Sequence, residues 1–296
     1  MSLRSGALTG IAGIYETLHP KTRTFVNTDV VYNIYLMKNP YKFFLDDYFD
    51  KLLGFRHSTN RVNKVLTKDV EIYLPDGARF YSGSSLVISD WTSPTDNGWE
   101  INFHTGIFKE TVKEGYPAEV KRIISRECCL MYAQSFEALE SLLKDLIFHK
   151  ACISTDLEQF VLSKKKKESS LTRDSIPGGC NLFDIFKKFG GRTYKTFSEA
   201  NNENFRFKEL WKILSETRHA ITHSQSILKA SELKSTDYHF AIFKSLFDYE
   251  NKEEDKIEIQ LDSNKFEKLI KKLSEFGFQA FKIACIEDGL DWSVYK

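Results

Sequence analysis

The stretch from Glu119 to His149 constrains this chain more than any other. Ile124, Cys128, Met131, Tyr132, Phe136, Leu139, Leu142, Leu143 and Leu146 recur along it at three- and four-residue steps, one broad apolar stripe on a long helix. Such a face needs partners, and the later sequence offers them. Residues 204–224 carry Phe207, Leu210, Leu214 and Ile221 at helical spacing. Residues 181–189 form a short helix that stops at Gly190-Gly191. Phe266, Leu269, Ile270, Leu273, Phe276 and Ala280 drive a closing helix to about Ala284, with Asn264 and Glu267 as its capping signal. Ile257, Ile259 and Leu261 alternate as one short strand, and residues 163–180, SKKKKESSLTRDSIPGGC, read as a flexible loop. From Tyr116-Pro117 onward the expectation is an antiparallel helical bundle.

Before that point the grammar is mixed. Asn39-Pro40 suits the cap and first position of a helix that buries Phe44, Leu45, Tyr48, Phe49, Leu52 and Leu53 and stops at Gly54. Val70, Ile72 and Leu74 then alternate, followed by Pro75-Asp76-Gly77 and by the runs ARFYSG, SSLVISDW and WEINFHTGIF, which predict strands and turns. The reading is therefore α+β overall: an N-terminal mixed α/β-meander module over 1–115, of unassigned role, and a mainly helical domain over 116–296. With 42% apolar residues and only 15 glycines and 6 prolines in 296, collagen-like and loop-built scaffolds are excluded.

Charge is balanced, 42 Lys and Arg against 41 Asp and Glu, so no global field draws the chain to nucleic acid or to an anionic membrane. Any such binding has to come from a local patch. Five cysteines, an odd number with no C-x-x-C pair, argue against a disulfide framework or a zinc site and for a reducing compartment. The opening MSLRSGALTGIAGIY reads poorly as a signal peptide, and no uncharged apolar run reaches membrane-spanning length. A soluble cytoplasmic protein without membrane contact is expected.

Chemistry concentrates in LWKILSETRHAITHSQSIL, residues 210–228, where Glu216, Arg218, His219, Thr222 and His223 fall within two helical turns. Three readings compete. The residues suit the polar end of a helix, where histidines gain from the macrodipole. Glu216, His219 and His223 share a stripe on which two imidazoles and a carboxylate are conceivable as metal ligands, although Ala220 stands where a zincin carries its glutamate. Arg218 and His223 together suit RNA transesterification, the guanidinium gripping a phosphate and the imidazole exchanging a proton.

The run Arg218-His219-Ala220-Ile221-Thr222-His223 resembles the R-x4-H motif of the HEPN (higher eukaryotes and prokaryotes nucleotide-binding) domain superfamily, in which the position after the arginine is usually polar, as His219 is. An early long helix with Phe136, Glu137, Leu139 and Glu140 in an F-E-x-L-E run, the motif late in a following helix, and a closing amphipathic helix extend the resemblance over about residues 119–285. The resemblance implies a helical bundle that dimerises, the two motifs meeting in a composite metal-independent endoribonuclease site with Arg218 and His223 catalytic and no metal or cofactor. It also implies a setting in toxin–antitoxin or antiphage systems, with RNA and an antitoxin or regulator as partners. The alternative within the family is a non-catalytic module that dimerises and binds nucleotide, RNA or protein.

His219, Thr222, Glu216, Glu137 and Glu140 are auxiliary candidates. Lys164, Lys165, Lys166 and Lys167 are candidates for steering RNA, since residues 164–195 hold nine basic against three acidic side chains. On an ideal helix positions 218 and 223 stand about 140° apart. Their convergence therefore calls for a distorted helix end, a long reach by Arg218, or a second copy.

Overall fold

The computed structural model describes residues 39–90, 92, 101–164, 170–233 and 236–293. It is an α+β structure in which a helical bundle carries two small antiparallel sheets. Helix α1 (Pro40–Tyr73) leads by a hairpin of β1 (Tyr81–Asp90) and β2 (Ile101–Val112) to the central helix α2 (Tyr116–Ala151). Then come α3 (Thr155–Ser163), α4 (Gly179–Glu199), α5 (Phe207–His223), β3 (Ile227–Lys229), α6 (Ala230–Leu233), α7 (Asp237–Leu246), β4 (Asp248–Asn251), β5 (Lys256–Gln260) and α8 (Ser263–Glu287). The second sheet has the order β3-β5-β4. No helix among the described residues is long and apolar enough to cross a membrane.

Helix α2 is the axis of the core. Tyr132, Phe136, Leu139, Leu142, Leu143 and Leu146 on its stripe are buried. Phe136 meets the Trp211 ring of α5 at 4.8 Å, and Phe183 of α4 stacks on the same indole at 5.2 Å. The first half of α1 belongs to this core. Tyr41, Leu45, Tyr48 and Leu52 are buried in the same cluster as α2 and α8, and the Tyr48 hydroxyl donates to the Leu273 carbonyl at 2.8 Å. Asp288, just beyond α8, accepts from the Tyr41 hydroxyl and pairs with Lys150 of α2, which ties three helix ends together.

Several sequence expectations give way to longer-range contacts. Gly54 does not stop α1, which runs on to Tyr73 and takes Val70 and Ile72, expected in a strand, into the helix. Three alternating residues are too short a pattern to resist a helix that α2 supports: the Tyr116 hydroxyl holds Asp69, and Tyr116 also meets the Tyr73 ring at 6.0 Å. The closing helix is capped by Asp262, whose side chain accepts from Lys265 N–H, and not by Asn264. Glu267 instead binds Arg56 and Asn60 of α1.

The expected flexible loop 163–180 is docked in its described second half. Arg173 clamps both carboxylate oxygens of Asp145 and donates to the Ser141 hydroxyl at 2.6 Å, while Ile176 is buried. The short helix expected at 181–189 breaks at Gly190-Gly191 as expected, and a second helical stretch that the sequence did not predict follows it. Gly191, at φ 44° and ψ −124°, turns one sharp corner, and the chain resumes as helix to Glu199. A side chain at Gly190 would meet Ile283 at 2.8 Å, so that glycine lets α4 close onto α8.

Candidate functional site

Helix α5 positions the motif. Its apolar line, Phe207, Leu210, Trp211, Ile213, Leu214, Ala220 and Ile221, is buried against the bundle, and the buried Tyr132 hydroxyl of α2 donates to the Leu214 carbonyl at 2.7 Å. That bond fixes the helix one turn before Arg218. Burial drives the Tyr132 phenol well above its usual pKa, with the Arg218 charge pulling the other way. The phenol therefore stays neutral beside the guanidinium.

The motif's side chains divide as the helical angle requires. Arg218 turns toward α2, where its guanidinium donates to Glu137 Oε1 at 2.8 Å. Glu137 is half-exposed, 54% at the side chain, and Arg218 is 26% exposed, so the pair sits at the surface rather than in the core. His219 and His223 point outward together, their rings 4.7 Å apart and both exposed. Thr222 folds back on its own helix, its hydroxyl donating to the carbonyls of Arg218 at 3.0 Å and His219 at 3.2 Å. In the single chain Arg218 and the imidazoles thus occupy different faces of one turn.

Glu216 stands one turn after Lys212 on α5 and forms a long ion pair with it at 3.8 Å. Burial raises its carboxyl above the ordinary range, Lys212 lowers it, and Glu232 raises it again. Among the described residues no group of three or more His, Cys, Asp or Glu side chains comes together as a set of metal ligands. The stripe of Glu216, His219 and His223 does not converge. Glu140 shares the F-E-x-L-E run with Glu137 but serves another helix, since its Oε1 accepts from the Gly179 N–H at 2.9 Å and caps α4. Lys164 caps α3, lies 3.9 Å from Asp184 and sits over the Phe160 ring. Lys165, Lys166 and Lys167 lie outside the described residues.

In the sequence Tyr132 is one member of an apolar stripe, and no pattern marks its hydroxyl for the Leu214 carbonyl. Glu216 Oε2, Thr217 Oγ1 and Arg218 Nε are buried without hydrogen-bond partners, three neighbouring polar atoms at the motif's entrance. The chain leaves the motif through Gln225 and Ser226, both in the left-handed region at φ 53° and 66°. Ile259 N–H then donates to the Ser226 carbonyl at 2.8 Å, which pins this turn to β5. Two surface grooves form around the other end of α5, one beside Arg206 and Tyr238 and one beside Phe205 and Lys282, and neither includes residues 216–223. Comparison of the sequence with protein-family models, with curated proteins and with solved structures finds no match.

Proposed function

We propose that the chain is a HEPN-like, metal-independent endoribonuclease that cleaves RNA by transesterification. The observation that carries this reading is the exposed His219–His223 pair one turn from a guanidinium that, among the described residues, a surface carboxylate holds. Arg218 binds the scissile phosphate by exchanging Glu137 for phosphate oxygens, and it stabilises the charge that builds at phosphorus. The 2′-oxygen attacks the adjacent phosphorus and loses its proton, the bond to the 5′-oxygen breaks, and that oxygen gains a proton. A 2′,3′-cyclic phosphate and a 5′-hydroxyl result. His223 moves one of the two protons, and His219 assists on the same face.

A single copy leaves the histidines open to solvent and turns Arg218 to another face. The site is therefore composite, two copies placing their residues 218–223 along one cleft about a twofold axis. A toxin–antitoxin or antiphage role, with an antitoxin or regulator as partner, follows from the family resemblance alone.

The second reading is a non-catalytic module that dimerises and binds nucleotide, RNA or protein. It is favoured by the Arg218–Glu137 pair, which neutralises the guanidinium in the free chain. Incubating RNA with the protein in EDTA, beside Arg218→Ala and His223→Ala, separates the two. The nuclease reading expects cleavage in chelator that both substitutions abolish, with cyclic phosphate termini. Equal cleavage by wild type and variants refutes it, and RNA binding without cleavage favours the module.

A further inference from the structure

The hairpin β1–β2 exposes far more apolar surface than the bundle has use for. Among the described residues its strands pair only with each other, and a lone two-stranded ribbon is marginal in water. Yet Tyr81, Leu86, Val87, Ile88, Phe103 and Phe108 are each 49–60% exposed. At ordinary side-chain areas that leaves on the order of 600 Å² of apolar surface, divided between the two faces of the ribbon because successive strand residues alternate.

The two outer edges are not alike. β2 carries His104, Lys109 and Glu110, and its pairing with β1 jumps register between Ser85 and Val87, where Gly106 adopts φ 73°. Charge and bulge are the devices that discourage strand addition. β1 has neither. Its sequence YSGSSLVISD contains no proline or basic residue, and Asp90 at its end is the single charge.

We propose that the free edge of β1 pairs antiparallel with β1 of a second copy, giving a four-stranded sheet in the order β2-β1-β1-β2 about a twofold axis near Ser84, Ser85 or Leu86. A second copy suits this edge better than a charged partner because the strand offers no counter-charge, while antiparallel self-pairing sets no like charges opposite each other near the axis. The new ladder and the apolar side chains flanking it bring the contact toward the roughly 800 Å² per partner of a standard interface. The contact stands whether or not residues 218–223 cleave RNA.

The test uses the full chain with Cys152→Ser and Cys180→Ser, which removes the exposed thiols. Sedimentation should give at least twice the monomer mass at micromolar concentration. Ile88→Lys should at least halve that mass with an unchanged far-UV circular dichroism spectrum. Because the residue on a twofold axis between antiparallel strands faces its own copy, one of Ser84→Cys, Ser85→Cys or Leu86→Cys should form a disulfide-linked dimer under mild oxidation, even if Ile88→Lys fails to fold. A monomeric protein overturns the proposal. So does an assembly whose mass survives Ile88→Lys and yields no cross-link at any of the three positions, the outcome expected if copies meet only through residues 218–223.

Discussion

Gly277 offers the sharpest test of how α1 sits on the bundle. It lies in the interior of α8 opposite the buried Tyr48, and a Cβ built there would stand 3.0 and 3.1 Å from the ring carbons Cδ1 and Cζ, with Cε1 nearer still. Ordinary contact begins near 3.4 Å, so Gly277→Ala forces the ring or one helix aside. The ring cannot swing freely, because its hydroxyl is held by the Leu273 carbonyl at 2.8 Å. Overpacking costs about 1–3 kcal/mol, and a weakened buried hydrogen bond adds about 1 kcal/mol. Alanine's helix propensity returns about 1 kcal/mol. The net is a destabilisation of roughly 1–3 kcal/mol. With a urea slope of about 3 kcal/mol/M for a chain of this size, the midpoint falls by roughly 0.3–1 M. Gly54, also inside a helix, has nothing within 4 Å of its missing Cβ, so Gly54→Ala should stabilise by up to about 1 kcal/mol. In a Tyr48→Ala background Gly277→Ala should lose its cost, since the obstructing ring is gone. If Gly277→Ala is neutral or stabilising in the wild-type background, α1 does not pack on α8 as described.

Two further outcomes follow from single side chains. Arg173→Ala strands the mostly buried Asp145 carboxylate and should cost about 1–3 kcal/mol. It should also expose Leu171 and Ile176 to thermolysin, and unchanged proteolysis would refute the docking of this segment. Burial raises the Glu216 carboxyl in the fold above its ordinary 4.5. Between that value and the folded one the native protein keeps a proton that the unfolded chain has released, so stability falls as pH rises through the window. Glu216→Gln should therefore gain in Tm over wild type between pH 4 and pH 7, and a gap that stays constant or reverses would contradict the burial.

The sequence was most legible where many residues repeat one period. The stripe on α2 and the buried line on α5 are long enough to exclude a strand, and they carried the motif to the end of its helix. The paired runs of the hairpin were legible for the same reason. What escaped was decided across distance. Gly54 reads as a stop until α1 is seen to run through it, and Glu267 reads as a capping partner until Arg56 and Asn60 claim it. β4, with the sequence Asp-Tyr-Glu-Asn, has no pattern of its own and exists because β5 pairs with it. At the site, the spacing fixed the angle between Arg218 and His223, but only the fold shows which neighbour the guanidinium takes, and which of Glu137 and Glu140 is that neighbour.

The corner at Gly191 reaches further than its own helix. Its φ of 44° with ψ of −124° is open to glycine alone among the amino acids without strain. By turning there, the chain brings Tyr194 against Phe207 at 5.9 Å, at the first residue of α5. A 17-residue helix spans about 25 Å, so once its start is anchored, the place where His219 and His223 emerge is a length measured from that corner. A substitution at Gly191, well removed from the histidines in sequence, would move the origin of that measurement and carry both imidazoles with it.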